Sequence, residues 1–314
     1  MFESCTYVHL VSWCFKNPNR DILLEKVLLM EFFVVQTLSG FSFAAVLFML
    51  ASGLSLIFGV MNIVNIAHGS YYMLGGYIGL SVYWVTGSLP LAMLGGGLAI
   101  GVVGYGMQRF FLRKFFDPFP QVMITMGFAY LFRDLALLIW GGDPLSFPAP
   151  KILEGSMHLG DIVFPYYRLF IIVIAIFVAV GLWFFNEKTS YGAQLRATVD
   201  DHEMAKGVGI NTPMVSGLMF ALGAFLAAFG GVIAAPAFGL YAGLDFEVLP
   251  LAFVVVIVGG MGSLKGAAVG SILVGLVDNW GKALFPDFSY FTLFLPMAVV
   301  LAIRPTGLFG ERTS

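Results

Sequence analysis

Charge is scarce in this chain: only 11% of its 314 residues are Asp, Glu, Lys or Arg. A soluble domain carries about 25%. The missing charge is replaced by apolar residues, which make up 59%, against about 45–50% in an ordinary globular protein. A soluble fold of this size has no use for so much apolar surface, so the composition points to a polytopic membrane protein. Cysteine is scarcer still. Cys5 and Cys14 are the only two, too few for a disulfide framework or a soft-metal site. No long polar stretch is available for a second domain. The net charge of -2 gives no footprint for nucleic acid, and no secretory cleavage pattern is present.

What remains is a series of apolar runs. A membrane helix needs about 20 such residues, and runs of that kind fall near Phe41–Met61, Ile66–Thr86, Leu89–Gln108, Gln121–Trp140 and Leu169–Phe185. Further runs lie near Val215–Phe238, Val248–Gly260, Gly266–Trp280 and Phe288–Ile303. The expectation is an all-α polytopic membrane protein with about eight or nine spans. The two runs between Val248 and Trp280 are short and punctuated by glycine, as half-helices or re-entrant segments would be.

Basic residues favour the cytoplasmic side. They gather in four places: Arg109 with Arg113 and Lys114; Lys188 with Arg196 and Lys206; Lys265; and Arg304 with Arg312. Two expected spans separate each group from the next, so all four fall on one face and the C-terminus is expected to be cytoplasmic. The opposite face then carries Gly141–Tyr167 and the short turn Gly239–Phe246. Residues 1–30 read as a tail or interfacial segment. Met30 is an alternative start, and Ile22–Leu38 is apolar enough either to lie in the interface or to cross. Residues 31–310 form one transmembrane domain with a cytoplasmic loop at 186–213, and 311–314 are a short tail.

The segment Gly53–Gly76, GLSLIFGVMNIVNIAHGSYYMLGG, interrupts its apolar run with Asn62, Asn65 and His68. Polar groups at membrane depth are costly unless they face protein or water. These three residues therefore line a translocation path or join helices. His68 is either a contact of that path or a histidine bonded to a helix end at the cytoplasmic boundary. Arg133 and Asp134 fall inside the fourth run, where adjacent helix positions point in different directions. Asp278, near an outer helix end, is expected to be solvated. Gly75, Gly76, Gly79, Gly95–Gly97, Gly101 and Gly104 have the spacing of close helix crossings.

Asn186–Asn211 is the only long polar segment between spans on the cytoplasmic face. Gln194–Lys206 reads as one short helix, with Leu195, Val199 and Met204 on part of one face and Arg196 placed to pair with Asp200. Gly207 and Gly209 end it, and Pro213 opens the next span. Such a helix suits docking into another protein's groove; a solvated connector is the alternative reading.

Several motifs together resemble the LivH-type permease subunit of branched-chain amino acid ABC importers. Asn65-Ile66-Ala67-His68-Gly69 and Tyr72–Tyr77 match the segment after the first span. Gly192, Arg196, Ala197, Asp201, Ala205, Gly209, Ile210 and Asn211 match the cytoplasmic loop, Gly259–Ala267 a glycine-rich turn, and Pro305–Gly310 the ending. The resemblance runs from about Gly40 to Gly310. It implies a non-enzymatic subunit in a bacterial inner membrane, forming half of a path for branched-chain amino acids or similar small amphiphilic solutes. The implied partners are a second, LivM-like permease, two ATP-binding subunits and an external substrate-binding protein, within membrane lipid and without nucleic acid. Coupling to the ATPases would run through Arg196, Asp200, Asp201, Met204, Gly209 and Asn211. ATP would be bound by those partners, and no cofactor is expected in this chain. It has no G-x-x-x-x-G-K-[ST] loop, and the spacing of GGMGSLKG near Lys265 does not form one. The competing reading is a secondary transporter of small solutes, for which Arg133–Asp134 is the only clear intramembrane pair.

Overall fold

The computed structural model describes residues 22–115, 117–145, 149–159 and 162–310. Cys5, Cys14 and Arg312, with the segments 1–21 and 311–314, lie outside the described residues. Among the described residues eleven α-helices carry the fold. They are α1 (Ile22–Met61), α2 (His68–Thr86), α3 (Leu89–Phe110), α4 (Pro118–Trp140), α5 (Tyr166–Lys188), α6 (Ser190–Asp200), α7 (His202–Gly207), α8 (Thr212–Phe238), α9 (Leu244–Gly259), α10 (Leu264–Leu284) and α11 (Ser289–Ile303). Before α5 a two-stranded antiparallel hairpin pairs β1 (Ser156–Leu159) with β2 (Ile162–Pro165).

Each of the nine apolar runs becomes a helix, and α6 and α7 are the two outside that set. Five of the helices are long and apolar enough by themselves to cross a membrane, or six if the pair α9–α10, bent by 116°, makes one span. The expected eight or nine is thus an approximate count. The glycines and tyrosines along α2, the shortness of α11, 15 residues, and the counting of α9–α10 as at most one span account for the difference. One helix exceeds its expected bounds. α1 runs unbroken for 40 residues, about 60 Å, so Ile22–Leu38 continues the first span and is not a separate crossing.

Glycine and alanine set the architecture. Helix α8 lies at the centre, against α1, α2 and α3. A methyl on Gly53 of α1 would come within 2.4 Å of the Gly223 carbonyl oxygen of α8. Those two backbones touch, as small-residue crossings allow. The contacts also give directions. Gly53 meets Gly223 and Met49 meets Gly230, so α1 and α8 are antiparallel; Gly75 meets Ala228 and Gly79 meets Val232, so α2 and α8 are parallel. On α4, Thr125, Ala129 and Trp140 meet Ile66, Ser70 and Ser81, so α4 rises alongside α2.

The ends sort accordingly. The end of α1, the end of α3, the start of α8 and the α9–α10 turn share one end of the bundle, where Gly59 meets Gly262 and Gly217 meets Gln108. This is the end that carries the basic groups, and it is called the basic end below. There the last residues clip onto α9: the Leu308 and Phe309 amides donate to the Val258 and Gly259 carbonyls, both at 2.9 Å. The clip fills acceptors that the end of α9 would otherwise leave open.

Candidate functional site

Helix α1 ends at Met61, and Asn62 reverses the chain there. Asn62 is the only non-glycine among the described residues with a positive φ, 51°. Asparagine tolerates this left-handed geometry because its short polar side chain can bond locally; a β-branched residue does not. Asn62→Val should therefore destabilise the protein by about 1–2 kcal/mol and Asn62→Gly should be close to neutral. Thermal unfolding in detergent checks this, and equal melting points for the two variants would refute the strain.

After the reversal, Ile63–Ala67 runs back along the bundle without forming helix. Helix α2 starts at His68, whose Nε2 donates to the Leu50 carbonyl at 2.9 Å. Leu50 lies eleven residues before the end of α1, about 16 Å up that helix. His68 therefore sits at mid-depth and contacts the middle of a helix, not a helix end at the boundary. It is fully buried, and its Nδ1 has no hydrogen-bond partner. Asn65 is also fully buried, with its side chain near the Tyr71 hydroxyl, which donates to Met107 Sδ at 3.1 Å. Asn62, by contrast, is exposed at the basic end. The three predicted residues thus lie at two different depths.

A second helix begins at the same level. Asp245, in the first turn of α9, accepts a hydrogen bond from Ser70 Oγ at 3.0 Å. Gly69 has no room for a side chain: a methyl there would lie 2.2 Å from the Asp245 carbonyl oxygen. So the first turn of α2 meets the first turn of α9 inside the bundle. Two helix N-termini bring positive backbone ends together, and the buried carboxylate of Asp245, 2% exposed, lies between them. Thr125 Oγ1 accepts from the Ile66 amide at 3.1 Å and anchors the reversed segment to α4.

Asp245 corrects the expected turn Gly239–Phe246: only Gly239–Gly243 connects, and Asp245 is helical and buried. Its signal was available, since Asp245 and Glu247 are two acids at the head of an apolar run. Arg133 has its guanidinium 5.6 Å above the Phe246 ring and beside Gly243, while Asp134 is exposed. Asp278 is not solvated. It is 2% exposed and accepts from Lys282 Nζ at 2.6 Å.

The expected single helix Gln194–Lys206 is two helices. Asp201 breaks it with extended backbone, φ −152° and ψ 105°, and caps α7 by accepting from the Met204 amide at 2.9 Å. An aspartate at that position satisfies an amide that helix bonding leaves free. Asn211 caps α8 in the same way through the Met214 amide, Gly209 has a φ of 89°, and Asp200 is exposed. Arg196 forms no ion pair with Asp200 among the described residues. It is half-buried, and its Nη1 is buried without a partner. Leu195, 4% exposed, faces the protein's own body and not outward, whereas Val199 and Met204 are exposed, joined by Tyr191 and Val208. His202 Nε2 and Thr212 Oγ1, 3.1 Å apart, tie α7 to the start of α8.

Comparison with known proteins places these features in a family. Residues 36–303 match the model of the family described as branched-chain amino acid transport system / permease component. The high-affinity branched-chain amino acid transport system permease protein BraD of Pseudomonas aeruginosa is 28% identical, over 89% of this chain and 96% of that protein. The LivH permease of the corresponding Escherichia coli K12 system is 24% identical over the same shares. The autoinducer 2 import system permease protein LsrC of Salmonella paratyphi B is 30% identical, over 79% of this chain and 72% of that protein. Among solved structures, PsaBC from Streptococcus pneumoniae in complex with Fab matches with a TM-score of 0.45 and 14% identity, over 84% of this chain and 89% of that one. With 268 residues, from within α1 to the end of α11, inside one family model, this chain belongs to the branched-chain amino acid transport system permease component family.

Proposed function

We propose that the chain is the membrane permease subunit of an ATP-driven importer, forming half of a path for branched-chain amino acids or similar small amphiphilic solutes. A related second permease would complete the path, two ATP-binding subunits would dock at the basic end, and an external binding protein would deliver the solute. The observation that carries the reading is the family match over residues 36–303, which encloses the α6–α7 unit with its exposed Val199, Met204 and Val208. ATP hydrolysis on another chain acts on this one only through contacts that differ in energy between states. A helix pair seated on the bundle through Leu195, capped by Asp201 and tied back through His202 to α8, is a stiff element for such contacts. The basic groups on its side support a cytoplasmic placement.

Met204→Asp combined with Val208→Asp tests the docking. Both side chains are exposed, so folding and insertion should be unaffected. Burying two carboxylates in an apolar contact should reduce ATPase co-purification and ATP-dependent uptake by about tenfold or more. Unchanged uptake and ATPase association would leave α6–α7 a plain connector. Uptake that persists without ATP and follows an ion gradient would favour a secondary transporter instead.

A further inference from the structure

Glu247 is a carboxylate standing open on the surface of the chain at the depth where α2 and α9 begin. Its depth follows from its neighbours. Asp245, two residues before it, bonds Ser70, and Leu249, two residues after it, packs on Gly69. Those contacts face α2. At about 100° per residue, position 247 turns away from α2, and the side chain is exposed. Tyr241, on the connector ahead of α9, donates its hydroxyl to Glu247 Oε2 at 2.5 Å. No basic side chain lies within ion-pair distance of Glu247 among the described residues. Arg133 is committed to the other side of the same turn, over Phe246.

A carboxyl group at mid-depth does not face hydrocarbon at tolerable cost, so this face meets water or protein. The chemistry of the pair says what it takes. Tyr241 has used its only hydrogen, so its oxygen accepts, as do both oxygens of Glu247. The pair is therefore an acceptor-only site of one negative charge, bordered by Val248, Pro250 and Leu251 of α9. An ammonium group offers three donors and one positive charge, which matches it. One carboxylate is too few oxygens for a divalent cation. A site this small also holds its ligand weakly, which a path that must release its cargo requires.

The geometry points to Glu247 and Tyr241 as a transit subsite for the ammonium group of a small apolar amino acid. This rests on the permease reading above and names the part of the cargo that the chain itself contacts. Asp245 holds the turn in place from behind, through Ser70.

The test uses the full complex with its partner subunits in liposomes, with radiolabelled leucine as the probe. Glu247→Gln keeps size and removes charge. It should lower initial uptake by about tenfold or more, with the complex intact by size exclusion and leucine binding to the external protein unchanged. Glu247→Asp should recover most of that loss, and Tyr241→Phe should lower uptake about threefold. Wild-type uptake alongside unaffected Glu247→Gln uptake overturns the subsite and leaves the permease reading standing. Loss of the second permease from the Glu247→Gln complex, restored by Glu247→Asp, overturns it too and makes Glu247 a subunit contact. A wild-type chain that recruits no ATPase and carries no solute overturns the permease reading and the subsite with it.

Discussion

Gly231→Leu should give a chain that does not reach a folded state. A first side-chain carbon at Gly231 would lie 2.0 Å from the Tyr72 carbonyl oxygen and 2.9 Å from its carbon. Those are backbone atoms inside α2 and cannot rotate out of the way. Overpacking against movable side chains costs about 1–3 kcal/mol and sometimes more. Here the whole of α2 would have to move off α8, taking with it the contact of Gly75 with Ala228. The expected result is loss of the monodisperse peak after detergent extraction. Gly127→Leu is the control. Gly127 lies in α4, exposed, with nothing within 4 Å of a added methyl, and that variant should extract and elute like the unaltered chain; helix propensity even favours it by up to about 1 kcal/mol. Equal behaviour of the two variants would refute the α2–α8 contact.

That contrast shows what the sequence displays and what it hides. The nine apolar runs were legible because each is long enough to bury backbone in helix, and small-residue spacing announced that Gly75, Gly79 and Gly96 pack closely. Spacing alone could not separate Gly231 from Gly127, since which face of a helix meets another helix is a tertiary fact. Depth was hidden for a similar reason. Hydropathy reads a polar residue as lying outside the bilayer, so Asp245 fell into a turn. The structure sets it inside, where Ser70 bonds its Oδ2 and two helix N-termini lie beside it. His68 and Asn65 were visible as polar intrusions, but the reversal at Asn62 that lifts them to mid-depth depends on one left-handed residue. In the loop, helix propensity carries through Asp201 without a pause. Only the cap on the Met204 amide reveals the break, and only packing shows that Leu195 turns inward while Met204 turns out. Two motifs far apart in sequence, Gly259–Ala267 and Pro305–Gly310, prove to be one structure, with the Leu308 and Phe309 amides on the Val258 and Gly259 carbonyls.

Asp245→Ala should destabilise the chain more than any other single polar deletion at mid-depth. The side chain is 2% exposed, and from the first turn of its own helix its Oδ2 accepts from the Ser70 hydroxyl in the first turn of α2. A hydrogen bond to a charged group contributes about 1.5–3 kcal/mol. Each helix N-terminus adds about 0.3–1 kcal/mol, and up to about 2 kcal/mol when partly buried. Removing the side chain also leaves a small void. A loss of about 3–5 kcal/mol follows. Asp245→Asn separates the contributions, since the amide oxygen can still accept from Ser70 while the charge is gone; it should cost about half as much. Ser70→Ala should itself cost about 1–3 kcal/mol, because it removes the one hydrogen bond that the buried Asp245 side chain accepts among the described residues. The decisive measurement is the double variant. If Ser70 and Asp245 act on each other directly, Ser70→Ala with Asp245→Ala should cost less than the sum of the two single changes, by about 1–2 kcal/mol. Thermal or denaturant unfolding of the four chains in one detergent gives that difference. Strictly additive losses would mean that the two residues do not couple, and that α2 and α9 are joined at mid-depth by the close packing of Gly69 on the Asp245 carbonyl and Leu249.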